Sequence, residues 1–293
     1  MIIFDYFDNT ATIIYYINGD KMENSNYSNY ISKSLNKTFK GVLFGRFLRA
    51  IDDYKLIEDG DKICVALSGG KDSLVLAALF EEYKLHYKKN IEIIYVMMNS
   101  GFADQFLNDH LLNIKKLGIN QILRDSKVYE VANQMSPKSP CFLCARMRRG
   151  FLYTVAKEFN CNKLSLGHHF DDVIETTLMN MFYTGTFKTM LPKAKSQNYE
   201  GIELIRPMYL IKEKDVQRFV NYHGFKINPK GCLFQERSVD SKRQEMKELI
   251  SSLRKVYKNI DINIFRSAEN INLSSVLGYY EDDSERVSFL DKY

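Results

Sequence analysis

At 293 residues, with 45% hydrophobic and 26% charged residues, the chain has the composition of a soluble globular protein able to bury a sizeable core, which excludes the disordered and fibrous classes. A formal net charge of +5 is too modest to announce a polyanionic partner by itself, so the placement of the charges matters more than their sum.

The opening "MIIFDYFDNTATIIYYINGDK" is apolar but contains Asp5 and Asp8 and has no basic leader. It is too short and interrupted to span a bilayer, so neither a signal peptide nor an anchor is expected. Met22 starts a more hydrophilic stretch, leaving residues 1–21 as an extension or an edge strand. A cytoplasmic location without membrane contact is the expectation, and five cysteines in a reducing compartment suggest metal or redox chemistry over disulfides. Next, Ile31, Leu35, Phe39, Val42, Leu43, Phe47 and Ile51 recur at helical spacing and predict a helical arm over residues 30–54. No acid occurs between Asn24 and Ile51, while Lys33, Lys37, Lys40, Arg46 and Arg49 give the arm a basic face.

Strands are then predicted at residues 62–67, 91–98, 121–124 and 163–166, with a weaker one at 202–205. Helices are predicted near 73–86, 104–117, 145–159, 171–183 and 212–223. This alternation predicts an α/β fold, a parallel sheet with helices on both faces and right-handed crossovers. Ligands of such sheets bind beyond the carboxyl ends of the strands, where the chain order reverses. Past Pro229 the pattern changes to a charged helix over 238–257 and an irregular tail. The expected domains are an N-terminal extension and arm (1–57), a main domain with a cysteine-pair insert (58–228) and a small C-terminal appendage carrying a third cysteine (229–293).

In "SGGKDS", which follows the first strand, the glycines let backbone amides approach an anion, Lys71 adds a cation, and the next helix contributes its N-terminus. A nucleotide phosphate fits; so does a tight turn capped by Asp72. It is not a Walker loop, because Val65 stands where that motif needs glycine and Asp72 replaces the magnesium-holding hydroxyl. Cys141 and Cys144 form a C-x-x-C introduced by Pro140, and Cys232 follows much later. Zinc with Cys232 and a histidine such as His223, an iron–sulfur cluster on three thiolates, and a metal-free redox pair all suit this spacing. Cys64, within the first strand, and Cys161, at a helix end, are expected to be small buried hydrophobes. In "LGHHFDDVIET", His168 and His169 lie at a strand end, and Asp172 with Glu175 could form a capping box. Lys188, Lys193 and Lys195 form another acid-free basic group.

"SGGKDS" after a first strand resembles the signature of the PP-loop ATP pyrophosphatases. That resemblance implies a Rossmann-like fold of the HUP type and cleavage of ATP between its first and second phosphates. It also implies that Ser68, Gly69, Gly70, Lys71, Asp72 and Ser73 hold the pyrophosphate, with the strand end at 97–99, including Asn99, beside the nucleoside. The stretch "PCFLCARMRRGFLYTVAKEFNCNKLSLGHHFDDVIETTLMNMFYTG" is similar to the branch that synthesises 2-thiocytidine in tRNA, the TtcA family. The likeness continues through "KTMLPK", "ELIRPMYLIKEKDV", "SKRQEMK" and "NIFRSAENINLSSVLGY", covering about residues 30–279.

Within that family the resemblance implies a [4Fe-4S] cluster on Cys141, Cys144 and Cys232. Relatives can carry two cysteines around the last position, whereas this chain reads "KGC", with Lys230 at the first. The catalytic candidates are Lys71, Asp72, His168, Asp171 and Asp172, with Asp171 or Asp172 helping Asp72 to orient Mg2+. The candidates for contact with tRNA are Arg146, Arg148, Arg149 and Lys188, and Arg146 and Arg149, three apart, are expected to share the useful helix face. The implied reaction adenylylates the 2-oxygen of an anticodon-loop cytidine and displaces it with sulfur from a persulfide or sulfide source. Another thiolated base, lysine attachment to cytidine, and a zinc-stabilised tRNA- or nucleotide-binding module are the rivals; the cysteine trio argues against lysine attachment. A homodimer is allowed for, although no sequence feature specifies it.

Overall fold

The computed structural model describes residues 24–87, 90–137, 140–228, 241–280 and 285–292. Residues 1–21, Lys230 and Cys232 lie outside the described residues. The chain divides into two compact units, one from Met1–Asp172 and Leu191–Asp240, the other from Val173–Met190 and Ser241–Tyr293.

In the first unit, α1 (Asn24–Asn36), a π-helical turn (Lys40–Phe44) and α2 (Gly45–Asp53) make the N-terminal arm. Ile31, Leu35, Phe39, Leu43, Phe47 and Ile51 are buried, as their helical spacing requires. Edge-to-face pairs of Phe47 with Phe80 and of Phe39 with Phe219 fasten the arm to α3 and α8, described below. Lys33, Lys37, Lys40 and Arg49 point to solvent, whereas Arg46 donates to the Leu210 carbonyl at 3.0 Å.

The alternating part follows as β1 (Lys62–Leu67), α3 (Lys71–His86), β2 (Glu92–Asn99), α4 (Asp104–Leu117) and β3 (Gln121–Asp125). It continues with α5 (Val128–Met135), α6 (Pro140–Glu158), β4 (Lys163–Ser165), α7 (Phe170–Met179), β5 (Lys193–Lys195), β6 (Glu203–Ile205) and α8 (Glu213–His223). The sheet order is β3-β2-β1-β4-β6-β5, parallel throughout except for β5, which pairs antiparallel to β6 at the edge. β1 is central and buried from Ile63 to Leu67, and α3 is buried on nearly every face, from Leu74 through Phe80. An element apolar all round belongs in the middle of a layered fold.

Three differences from expectation have local causes. Helix α6 begins at Pro140, five residues before the expected 145, because a proline suits a first helical position, where its missing N–H costs nothing. The short α5, with only Val128 and Ala132 buried, has too few turns to show a period. Strand β5 is three residues long and exists through its pairing with β6.

In the second unit, α7 ends in a π-helical turn (Asn180–Thr184), followed after the chain returns by α9 (Ser241–Val256), α10 (Ile260–Ser267) and a small hairpin of β7 (Gly278–Tyr279) and β8 (Val287–Ser288). The buried Glu175 faces Arg243 Nη1 at 3.4 Å and Lys247 Nζ at 3.9 Å within this unit. Among the described residues no helix is long and apolar enough to cross a membrane.

Because Phe47 is fully buried between the arm and α3, Phe47→Ala should destabilise the first unit by about 3–5 kcal/mol, the usual loss for truncating a core phenylalanine. Urea unfolding followed by tyrosine fluorescence measures this; an unchanged midpoint would mean that the arm is not part of the core.

Candidate active site

Strands β1 and β4 lie side by side with Val65 opposite Ser165, and the chain runs outward from them in both directions. That pairing is the reversal point at which open parallel sheets bind ligands. The loop after β1 is braced by Ser73: its Oγ accepts from the Ser68 amide at 3.0 Å and donates to the Gly70 carbonyl at 3.0 Å. Gly69 has φ +76°, and a Cβ there would stand 2.4 Å from the Phe106 ring, so conformation and space both demand glycine. Helix α3 starts at Lys71, and its first-turn amides, like those of any helix N-terminus, lack intrahelical acceptors.

Lys71 Nζ lies 3.0 Å from Glu213 Oε1 and 3.1 Å from Asp72 Oδ1. Burial works against its charge, but Asp72 and Glu213 outweigh that and hold its pKa above the ordinary lysine value. The buried His169 joins two carboxylates, with Nδ1 3.2 Å from Asp172 Oδ2 and Nε2 3.6 Å from Asp72 Oδ1. The His169 amide also donates to Asp172 Oδ2 at 2.9 Å. The reciprocal capping contacts therefore join His169 with Asp172, not Asp172 with Glu175. Asp171 accepts from the Glu213 amide at 2.7 Å and so ties the start of α8 to the start of α7. Gly167, between β4 and these histidines, passes so close to α3 that a Cβ would sit 3.1 Å from the Asp72 carbonyl carbon and 3.2 Å from the Ser73 amide.

A cleft of about 360 Å³ opens over this junction, within the size range of small-molecule sites. Ser68, Asp72, Ser73, His168 and Asp172 line one side, Arg148 and Arg149 of α6 another, over an apolar floor that includes Met98 and Leu152. Arg148 and Arg149 share the cleft, while Arg146 is exposed on the same helix. Cys141 and Cys144 fall in the opening turns of the same helix. Cys144 is buried against Met98, Val128, Ala132 and Met147. Among the described residues no three His, Cys, Asp or Glu side chains gather as a metal site.

Asn99 lines a second cleft of about 340 Å³ with Asp125, Ser126 and Lys127. Its Oδ1 accepts from the amides of Gly101 and Phe102 at 3.1 Å, shaping the loop after β2. Lys188 is exposed in the second unit. His223 is no zinc ligand candidate: its Nε2 is 2.7 Å from Ser34 Oγ, its ring packs among Phe39, Phe219 and Phe225, and burial lowers its pKa to about 4. Cys64 and Cys161 are buried in one apolar cluster, and burial raises both thiols, Cys161 to about 11.

Two residues were not anticipated. Glu213 meets Lys71, and Arg206, just past β6, donates from Nε to His168 Nδ1 at 3.3 Å. Both lie in the quoted "ELIRPMYLIKEKDV", but only the adjacency of β6 and β4 brings that stretch to the cleft. Burial first, and then the neighbouring charge of Arg149, bring the Arg206 pKa down to about 10, so it stays charged at pH 7. Such facing guanidinium groups favour an anion between or beside them.

Residues 44–228 match the PP-loop domain family. The chain is 41% identical to the tRNA-cytidine(32) 2-sulfurtransferase of Syntrophotalea carbinolica over 207 residues, covering 70% of this chain and 79% of that protein. It is 36% identical to the protein of the same name from Hahella chejuensis, covering 82% and 85%. Among solved structures it is similar to the U34-tRNA thiolase NcsA from Methanococcus maripaludis with its [4Fe-4S] cluster, at a TM-score of 0.61 and 24% identity, covering 84% of this chain and 77% of that one.

Since the atoms facing Gly167 are backbone and cannot swing aside, Gly167→Ala should shift the start of α3 by a few tenths of an ångström and lower nucleotide-dependent turnover by about tenfold, less than the ~10²-fold of a full 1 Å misplacement. Calorimetric ATP titration beside urea unfolding checks it. A folded variant with unaltered ATP affinity and turnover would refute the close-approach explanation.

Proposed function

The chain belongs to the PP-loop domain family and, within it, to the tRNA-cytidine(32) 2-sulfurtransferases, and from that membership we propose that it spends ATP to replace the 2-oxygen of a tRNA anticodon-loop cytidine with sulfur. The observation that carries this reading is the double use of α6. Arg148 lines the phosphate-loop cleft one helical turn after Cys144, so a cysteine pair and an ATP-sized cleft are roughly 6 Å apart along one helix.

The loop amides of residues 68–70, the N-terminus of α3 and Lys71 hold the leaving pyrophosphate. Glu213 keeps Lys71 oriented until phosphate oxygens compete for it. Asp72 and Asp172 suit a magnesium ion carried in with ATP, because Asp72 Oδ1 is buried and accepts no hydrogen bond, having only the ion-pair contacts of Lys71 and His169. Asp171 serves instead as the tie between α7 and α8. The cytidine 2-oxygen attacks the first phosphorus of ATP; the oxygen–phosphorus bond forms as the bond to pyrophosphate breaks. Sulfide then bonds to the same ring carbon as the carbon–oxygen bond breaks and AMP departs with the oxygen; where the donor is a persulfide, a thiol reductant must first cleave its sulfur–sulfur bond to supply that sulfide. An unpaired loop base exposes that atom cheaply. Arg148 and Arg149 bring the RNA backbone over the cleft, with Arg146 and Lys188 as outer contacts.

Cys141, Cys144 and Cys232 would hold a [4Fe-4S] cluster, the first two being three positions apart within α6. When bound, it supplies an iron without a protein ligand, where exogenous sulfide can attach. The substrate and the ATP chemistry suit a cytoplasmic protein.

Lys71→Ala should cut turnover about 10²–10³-fold, the cost of one preorganised electrostatic contact at a reacting group, about 2.7–4 kcal/mol. AMP and pyrophosphate are the expected products; ADP and orthophosphate would reject the chemistry. Nucleoside mass spectrometry of tRNA from a deletion strain and its complemented control identifies the product base. Protein purified without oxygen should contain about four irons and four sulfides per chain. Cys144→Ala should lose the iron while retaining ATP binding, whereas Cys64→Ala and Cys161→Ala should leave the iron content unchanged. Full activity with stoichiometric zinc would return the reading to a zinc site.

A further inference from the structure

His168 lines the cleft beside Asp72 and Asp172, and its partner is Arg206, whose Nε donates to His168 Nδ1 at 3.3 Å while Nη1 donates to the Leu191 carbonyl at 2.5 Å. The Arg206 amide donates to the Pro192 carbonyl at 2.9 Å, so backbone and side chain are both fixed. A guanidinium has only donors, so the imidazole nitrogen facing it carries no proton. An imidazolium would present N–H to N–H and is excluded by the same geometry.

We propose that Arg206 is a positioning residue that holds His168 as the neutral tautomer with its proton on Nε2, so that His168 enters adenylyl transfer as a hydrogen-bond donor to phosphate oxygen and not as a general base. This rests on the reading of the cleft as the ATP-cleaving site. The chemistry agrees with it. The attacking 2-oxygen of cytidine is a carbonyl oxygen with no proton to lose, so the step needs no base, while the electrons freed at phosphorus leave with pyrophosphate and call for donors. A neutral imidazole serves as such a donor. The charged groups facing the cleft around His168 are Arg206 from the end of β6, Arg148 and Arg149 from α6, Asp72 from α3 and Asp172 from α7.

The test is nitrogen-15 NMR of histidine-labelled protein purified without oxygen, with His168 assigned by its absence in His168→Gln. At pH 7 the expected spectrum has an unprotonated Nδ1 and a protonated Nε2 on His168. Arg206→Gln should mix the tautomers and lower kcat for tRNA-dependent pyrophosphate release roughly tenfold, about one hydrogen bond's worth, with less change in the KM for ATP. Arg206→Lys, which restores a donor, should recover much of both. A proton on Nδ1 in the unaltered protein, or a tautomer indifferent to Arg206→Gln, would overturn the proposal; if that variant does not fold, the unaltered protein and Arg206→Lys decide. No pyrophosphate release from the unaltered protein would overturn the adenylylation reading and with it the donor role, leaving the spectrum to judge the tautomer alone.

Discussion

The parallel pairing of β1 with β4 is the constraint on which the site depends. Val65 stands opposite Ser165, the last residue of β4, and β1 runs only two residues further, so the loop after β1 and the His168–Asp172 stretch leave the sheet as neighbours. The contact is tight enough to require the bare backbone of Gly167 against the first turn of α3. An anion at that helix N-terminus is thereby met by amides from one strand's loop and by side chains from the other's, without any of these elements having to move.

Electrostatics in the cleft are arranged by pairs that span elements. Lys71 is steadied by Asp72 on its own helix and by Glu213 on α8, and α8 is in turn tied to α7 through Asp171. His169 links Asp72 to Asp172. Arg148 and Arg149 line the same cleft, and Arg206, whose pKa burial and the charge of Arg149 bring down to about 10, reaches His168. Carboxylates and guanidinium groups thus share one cleft, an arrangement that can meet cations and anions side by side.

The thiols divide by environment. Cys64 and Cys161 are buried among aliphatic and aromatic neighbours, where burial keeps the proton on sulfur. Cys144 is buried in a separate cluster with Met98, Val128, Ala132 and Met147, on the helix that also carries Arg148. Cys141 and Cys144 precede Arg148 by seven and four residues, so α6 carries both the cysteine pair and a side chain of the cleft.

Sequence alone determined what local periodicity and local chemistry can encode: the alternation of strands and helices, the phosphate loop with its glycines, the burial of Cys64 and Cys161, and the helical spacing of Ile31 to Ile51 in the arm. Helical spacing tells which residues share a face but not where that face points, so that Arg148 and Arg149 line the cleft was not legible in the spacing. Strand order is also invisible to a linear pattern. Only the placement of β6 beside β4 carries Arg206 to His168 and Glu213 to Lys71, and only pairing with β6 makes a strand of Lys193–Lys195. Those contacts belong to the tertiary structure because they join residues tens of positions apart, whose meeting depends on how the sheet is wound and not on any preference of the residues themselves.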